Sequence, residues 1–219
     1  MKVLFFVISS CIIAQCAAAQ NKLQTNDYKQ QLRINPLGIL NPFETNLSVG
    51  YDVRVKKTLS VGGDVGVYLA KDAFSRPLSG FFIRPALRMY SKNKLKAYTE
   101  LVLMYKHTVQ KEEGWLGMDC VNGVPSYEKF DQYRNVKDVF DISFRFGFRE
   151  RLFHSPNWFY EGYMGLGVRQ KILSIKYAEK NTCLSNNDFE TFSFFEQVTP
   201  GSYTSFSVPI GIRFTRTIK

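Results

Sequence analysis

The sequence predicts an all-β fold, an eight-stranded antiparallel up-and-down transmembrane β-barrel. Three observations carry that expectation. The first is an alternation that returns eight times. Leu47, Val49, Tyr51, Val53 and Val55 are interleaved with Asn46, Ser48, Gly50, Asp52 and Arg54, and Phe140, Ile142, Phe144, Phe146 and Phe148 with Asp141, Ser143, Arg145, Gly147 and Arg149. Successive strand side chains point to opposite faces, so each segment has one apolar face and one polar, charged or glycine face. The second is a rhythm of compact connections and long ones, as in small barrels with short turns on one side and longer loops on the other. The third is an N-terminus that reads as an export signal, with no later run reaching the ~18 apolar residues of a membrane helix.

The elements follow in order. Lys2, the mainly apolar stretch 3–13 and Ala17-Ala18-Ala19 form the signal pattern, so residues 1–19 are read as a signal peptide. Residues 20–30 are polar and read as a flexible lead-in, and 31–219 as the barrel domain. Strands are expected over 31–40, 45–55, 59–70, 79–90, 95–107, 135–149, 158–175 and 202–215. Each is at least as long as the ~9–11 tilted residues that cross a hydrocarbon core. The spans 108–134 and 176–201 between the later strands are read as long loops. Pro36, Pro85 and Pro209 each lack a ladder donor, so bulges or strand ends are expected there.

Composition narrows the class. The chain has 219 residues, 45% of them hydrophobic, with a mean hydropathy of −0.19. Those values exclude a bundle of membrane helices but not a barrel, in which only every second strand residue faces lipid. The formal net charge is +10, yet the basic residues are scattered along strands and turns. That pattern points to acidic lipid head groups rather than nucleic acid. Removing the signal removes Cys11 and Cys16, which leaves Cys120 and Cys183, one in each long loop. Two cysteines in an exported chain favour one disulfide. Neither lies in a C-x-x-C pair, and His107 and His154 complete no zinc ligand set, so neither metal nor cofactor is expected.

Turning the apolar faces outward places Val49, Val53, Val65, Leu101, Phe144, Phe146, Leu166, Val208 and Ile210 against lipid. The opposite faces then collect Asp52, Arg54, Asp64, Arg84, Arg88, Glu100, Lys106, Asp141, Arg145, Glu161, Arg169 and Arg213 in the lumen. An eight-stranded barrel is only wide enough for side chains to fill it. Charges confined there must pair, because an unpartnered buried ion is severely penalised. The expected pairs are Asp64 or Glu100 with Arg84 and Arg88, and Glu161 with Arg145. Tyr90, Tyr105, Trp158, Tyr160 and Phe214 near strand ends fit interfacial aromatic belts.

Catalytic chemistry is thin. His154-Ser155 are adjacent in a predicted turn, and neighbours in sequence seldom face each other as nucleophile and base. His107, with Thr108, Glu112 and Glu113 after it, supplies polar groups for a lipid hydrolase, but no nucleophile elbow, phosphate loop or metal motif accompanies them.

The chain resembles the small outer-membrane β-barrel families of Bacteroidetes-type bacteria, including PorT-like proteins. The resemblance is carried by Asn35-Pro36-Leu37-Gly38, Asn46-Leu47-Ser48-Val49-Gly50-Tyr51, Leu59-Ser60-Val61-Gly62-Gly63-Asp64, the run from Phe81 to Tyr90, and Val208-Pro209-Ile210-Gly211-Ile212-Arg213-Phe214. It covers nearly the whole chain after the signal as a texture of strands, with no active-site motif. It departs at the end, where Thr217-Ile218-Lys219 follow Phe214. What it implies is an outer-membrane location. The reading we carry forward is a non-enzymatic, monomeric outer-membrane barrel with a filled polar lumen, structural, adhesive or accessory to an envelope complex through its outer loops. The alternatives are a secreted, soluble lipocalin-like barrel around an apolar ligand, and a lipid-modifying barrel enzyme.

Overall fold

The computed structural model describes residues 29–38, 45–71, 77–91, 96–121, 124–152, 155, 157–177, 182–184 and 200–218. The expected signal peptide, most of the lead-in, Cys11, Cys16 and His154 lie outside the described residues. The described chain is all-β. Its strands are β1 (Gln30–Ile34), β2 (Asn46–Lys56), β3 (Leu59–Lys71), β4 (Pro77–Tyr90), β5 (Ala97–Met118), β6 (Tyr127–Arg151), β7 (Trp158–Tyr177), β8 (Cys183–Leu184), β9 (Gly201–Ser207) and β10 (Ile210–Ile218). A single turn of 3-10 helix, Pro36–Gly38, follows β1.

Nine of these strands form one antiparallel sheet that closes on itself. Its order is β10-β1-β2-β3-β4-β5-β6-β7-β9, and β7 also pairs with β10. The closing seam pairs Gln30 with Ile218 and Ile34 with Phe214 on one side of β10, and Phe214 with Tyr160 on the other. Strands β9 and β10 lie end to end along β7, with Ser207 opposite Gly167 and Ile210 opposite Met164. The break between them falls at Val208-Pro209. Among the described residues closure pairs every strand of the ring except β9 on both sides, which is how an all-β sheet avoids edge-to-edge association.

The three prolines act as their chemistry requires. Pro36 ends β1 by entering the 3-10 turn, so the first strand stops well short of residue 40. Pro209 splits the last strand. At Pro85 the ladder between β4 and β5 passes from Ile83↔Tyr105 to Ala86↔Val102 without pairing Arg84 or Pro85. On its other side the β3–β4 ladder is continuous.

The largest departure from expectation is in 108–134. That segment is not a loop. Strands β5 and β6 remain paired from Ala97↔Phe148 to Met118↔Tyr127. The β4 pairing stops at Gln110 and the β7 pairing at Tyr133, so the hairpin continues past the ring as a two-stranded ribbon. Alternation fades there because Lys111, Glu112, Glu113 and Gly114 face Arg134, Tyr133, Gln132 and Asp131, and neither face needs to be apolar. Cross-strand pairs hold it instead. Trp115 meets Phe130 edge to face, Gln132 donates to Glu113 at 2.9 Å, and Tyr133 donates to Glu112 at 2.9 Å. Lys129 and the Gln132 backbone N–H hold the Asp131 carboxyl below its usual range.

Candidate functional site

Every inward position is set by strand parity. On β4 the inward side chains are Phe82, Ala86, Arg88 and Tyr90, and on β5 they are Tyr98, Glu100, Val102 and Lys106, all buried. Between them, Phe81, Ile83, Leu87, Met89, Leu101 and Leu103 point outward and are exposed. Of the nine expected lipid-facing residues, Val49, Val53, Val65, Leu101, Phe144, Phe146, Leu166, Val208 and Ile210 all stand on the outer surface, from 41% exposed at Val53 to 71% at Leu166 and Ile210.

Inside, Glu100 is the hub. Its carboxylate accepts from Arg213 Nη2 at 2.7 Å, Arg88 Nη2 at 2.9 Å and Arg33 Nη1 at 3.2 Å. Glu161 bridges Arg88 at 3.0 Å and Arg213 at 3.4 Å. Arg33 also reaches Asp52 at 3.0 Å and Asp64 at 3.1 Å. The Nη1–Asp52 Oδ2 and Nη2–Asp64 Oδ1 contacts lie at ion-pair distance but off a hydrogen-bonding line, so they act as charge neutralisation. Strands β1, β2, β3, β4, β5, β7 and β10 each contribute a group, and the result is a cross-braced plug.

Aromatic rings fill the remaining space. Tyr90 accepts from Arg88 at 3.1 Å, and Tyr98 accepts from Arg213 at 3.2 Å. The guanidinium of Arg88 lies over the Tyr98 ring at 4.2 Å, and that of Arg213 over Tyr163 at 4.5 Å. Tyr90 was expected in a surface belt, but its parity with Arg88 places it inside. Gly147 stands directly opposite Tyr98 and Tyr163, and Gly211 opposite Tyr163. A Cβ at either glycine meets a tyrosine ring.

The other expected lumen residues sit around this plug. Arg84 approaches Asp64 at 3.9 Å, Arg169 pairs with Asp141 at 3.2 Å, and Arg54 covers the Tyr90 ring at 5.2 Å. Glu161 reaches Arg88 and Arg213 rather than Arg145, whose Nε donates to Ser143 at 3.2 Å. Its β7 neighbour across the ladder is Gly165, and its β5 neighbour, Glu100, turns its carboxylate to Arg33, Arg88 and Arg213. Sequence reasoning missed Arg33 and Gln31, because only five residues of β1 alternate before the 3-10 turn.

The polar groups considered for catalysis do not converge. His107 Nδ1 and Tyr105 Oη lie 2.8 Å from Asp138 Oδ1 on the outer surface. Glu112 and Glu113 are engaged on the ribbon, and the Thr108 hydroxyl donates to the Lys137 carbonyl at 3.4 Å.

Cys120 and Cys183 form a disulfide with Cα atoms 6.1 Å apart. It lies at the ribbon end, opposite the Lys57-Thr58 turn. Strand β8 adds to the ribbon through Gly117↔Cys183 and Leu116↔Leu184. Leu116 and Met118 are buried on one face of the ribbon, while Trp115 and Phe130, paired on the other, are at least half exposed. Compared with protein-family models, curated proteins and solved structures, the chain shows no match.

Proposed function

We propose that this chain is a non-enzymatic, monomeric outer-membrane β-barrel with eight staves, β9 and β10 together forming the last. Its lumen is filled, and its stapled ribbon faces outward as a binding surface for an envelope partner or surface ligand. The observation that carries the reading is the inversion of polarity. Arg33, Arg88, Glu100 and Glu161 are at most 1% exposed, while valines, leucines and phenylalanines ring the outside. A water-surrounded monomer rarely exposes a continuous apolar belt, whereas a lipid-facing barrel requires one. An apolar ligand in the lumen, as a lipocalin-like protein would hold, would have to lie among Arg84, Lys106, Asp141, Arg145 and Arg169.

Belt height supports the same reading. Outward aromatic groups bracket it, with Phe81, Tyr105 and Phe140 in contact towards the ribbon and Phe148 and Tyr160 towards the turns. Phe140 and Phe148 are eight residues apart on β6. At ~3.4 Å per residue and a tilt of about 40°, the separation is about 21 Å of height, close to the ~25 Å apolar band of such barrels. The ribbon then stands clear of the belt, on loops carried by a rigid scaffold where recognition is usually placed.

Membrane fractionation followed by a gel with and without boiling tests this. The expected result is extraction only with detergent and a heat-dependent shift in migration. Solubility at high concentration without detergent overturns the reading.

A further inference from the structure

Above the plug, on the ribbon side, the lumen widens into a cavity of about 260 Å³. Its lining includes Arg84, Lys106, Arg145 and Arg169, with Asp141 the lone carboxylate among the described residues. Arg169 is answered by Asp141. Arg84 leans on Asp64 at 3.9 Å, but Asp64 is already held by Arg33 at 3.1 Å. Arg145 is the decisive residue. It is 3% exposed, its nearest polar partner is the neutral Ser143 hydroxyl, and its guanidinium lies 5.1 Å from the Tyr163 ring centre. Among the described residues no carboxylate comes within ion-pair distance of it. Glu100, across the ladder from it, is already shared by Arg33, Arg88 and Arg213, and a buried cation whose counter-charge is so divided is disfavoured.

We propose that this cavity binds a small multivalent oxyanion of the phosphate or sulfate class, with Arg145 and Arg84 supplying the charge. Guanidinium groups present paired donors that match such oxyanions. The positive excess calls for more than one monovalent carboxylate. The space falls just under the ~300–1,000 Å³ of pockets for drug-sized ligands, which suits a small phosphorylated or sulfated molecule. Arg84 and Tyr163 line both this cavity and the small void at Arg33 and Arg213 of the plug, so the braced plug closes the lumen beyond it and a bound anion is held, not conducted. The proposal needs only the closed ring and does not rest on the membrane reading.

Titration calorimetry on the full chain decides it, in a non-ionic, phosphate-free detergent, or in buffer if the protein proves soluble. Sodium phosphate and sodium sulfate are the probes, with sodium chloride at matched ionic strength as the blank. Binding of phosphate or sulfate by the wild type is expected, weakened at least about tenfold by Arg145→Gln. Arg84→Gln weakens it as well, and Lys57→Gln, at an exposed turn, leaves it unchanged. If Arg145→Gln does not fold, Arg84→Gln decides by the same comparison. Wild-type protein that takes up neither anion at millimolar concentration overturns the proposal. So does uptake that the lumen variants and Lys57→Gln share equally.

Discussion

Arg33 Nη1 and Glu100 Oε1 lie 3.2 Å apart, although their strands, β1 and β5, are four places apart around the ring in either direction. Two side chains reaching from opposite walls therefore touch, which fixes the interior as no wider than one arginine plus one glutamate. Arg88 and Arg213 enter from the sides and close the remaining gaps. The expected outcome in a planar lipid bilayer is no steady current from the purified protein. Discrete conductance steps from the wild type would show that the plug parts.

Glu100 neutralises three arginines at once, so its loss is felt by all of them. Glu100→Gln preserves shape but leaves Arg33, Arg88 and Arg213 one buried counter-charge short, with only Asp52, Asp64 and Glu161 to answer them. The expected cost is about 3–5 kcal/mol, the range for breaking a buried ion pair by removing one partner. Glu150→Gln, at the partly exposed pair with Lys96 (2.8 Å), is expected to cost less than about 1 kcal/mol. Equilibrium unfolding of both variants measures the contrast. Equal effects would mean that the hub carries no special role.

Phe144 stands on the outer face of β6, 43% exposed and in edge contact with Phe146. It lies midway between Phe140 and Phe148, at the centre of the proposed apolar band. Phe144→Arg is expected to destabilise the protein refolded into lipid by about 2–4 kcal/mol, the mid-bilayer penalty for a charge on a barrel's lipid face. Trp115→Arg, on the ribbon outside the band, is expected to cost far less. Urea titration in vesicles gives both numbers, and indifference at Phe144 would place that face in water.

Parity made much of the ring legible beforehand. Once Phe144 and Phe146 are assigned outward, Arg145 and Gly147 must face inward, and the ladder carries that choice to every neighbour. Partners across the lumen were not legible, because parity says which face a residue takes but not its height. Glu161 meets Arg88 and Arg213 instead of Arg145 for that reason. Tyr98 and Tyr163 were readable in principle, since Gly147 and Gly211 sit opposite them and large rings need small neighbours. The ribbon was hidden because its pairing is held by Trp115–Phe130 and Glu113–Gln132, with no apolar period to betray it.

The Cys120–Cys183 bond ties strand β8 to the outer end of β5, beyond the last residue that β4 supports. Gly117↔Cys183 and Leu116↔Leu184 give that added strand only two paired positions, too few to hold it without a covalent link. The ring itself is closed by the β1–β10 and β7–β10 ladders and does not depend on the bond. Cys120→Ser with Cys183→Ser is therefore expected to loosen the ribbon and leave the ring folded. Limited proteolysis should cut the double variant near residues 119–126 faster than the wild type, while the heat-dependent gel shift is retained. Any partner that binds the stapled ribbon should lose affinity in parallel with the increase in cleavage. A double variant with unchanged cleavage would show that the ribbon is rigid through its ladder alone, and loss of the gel shift would make the bond a requirement of the ring.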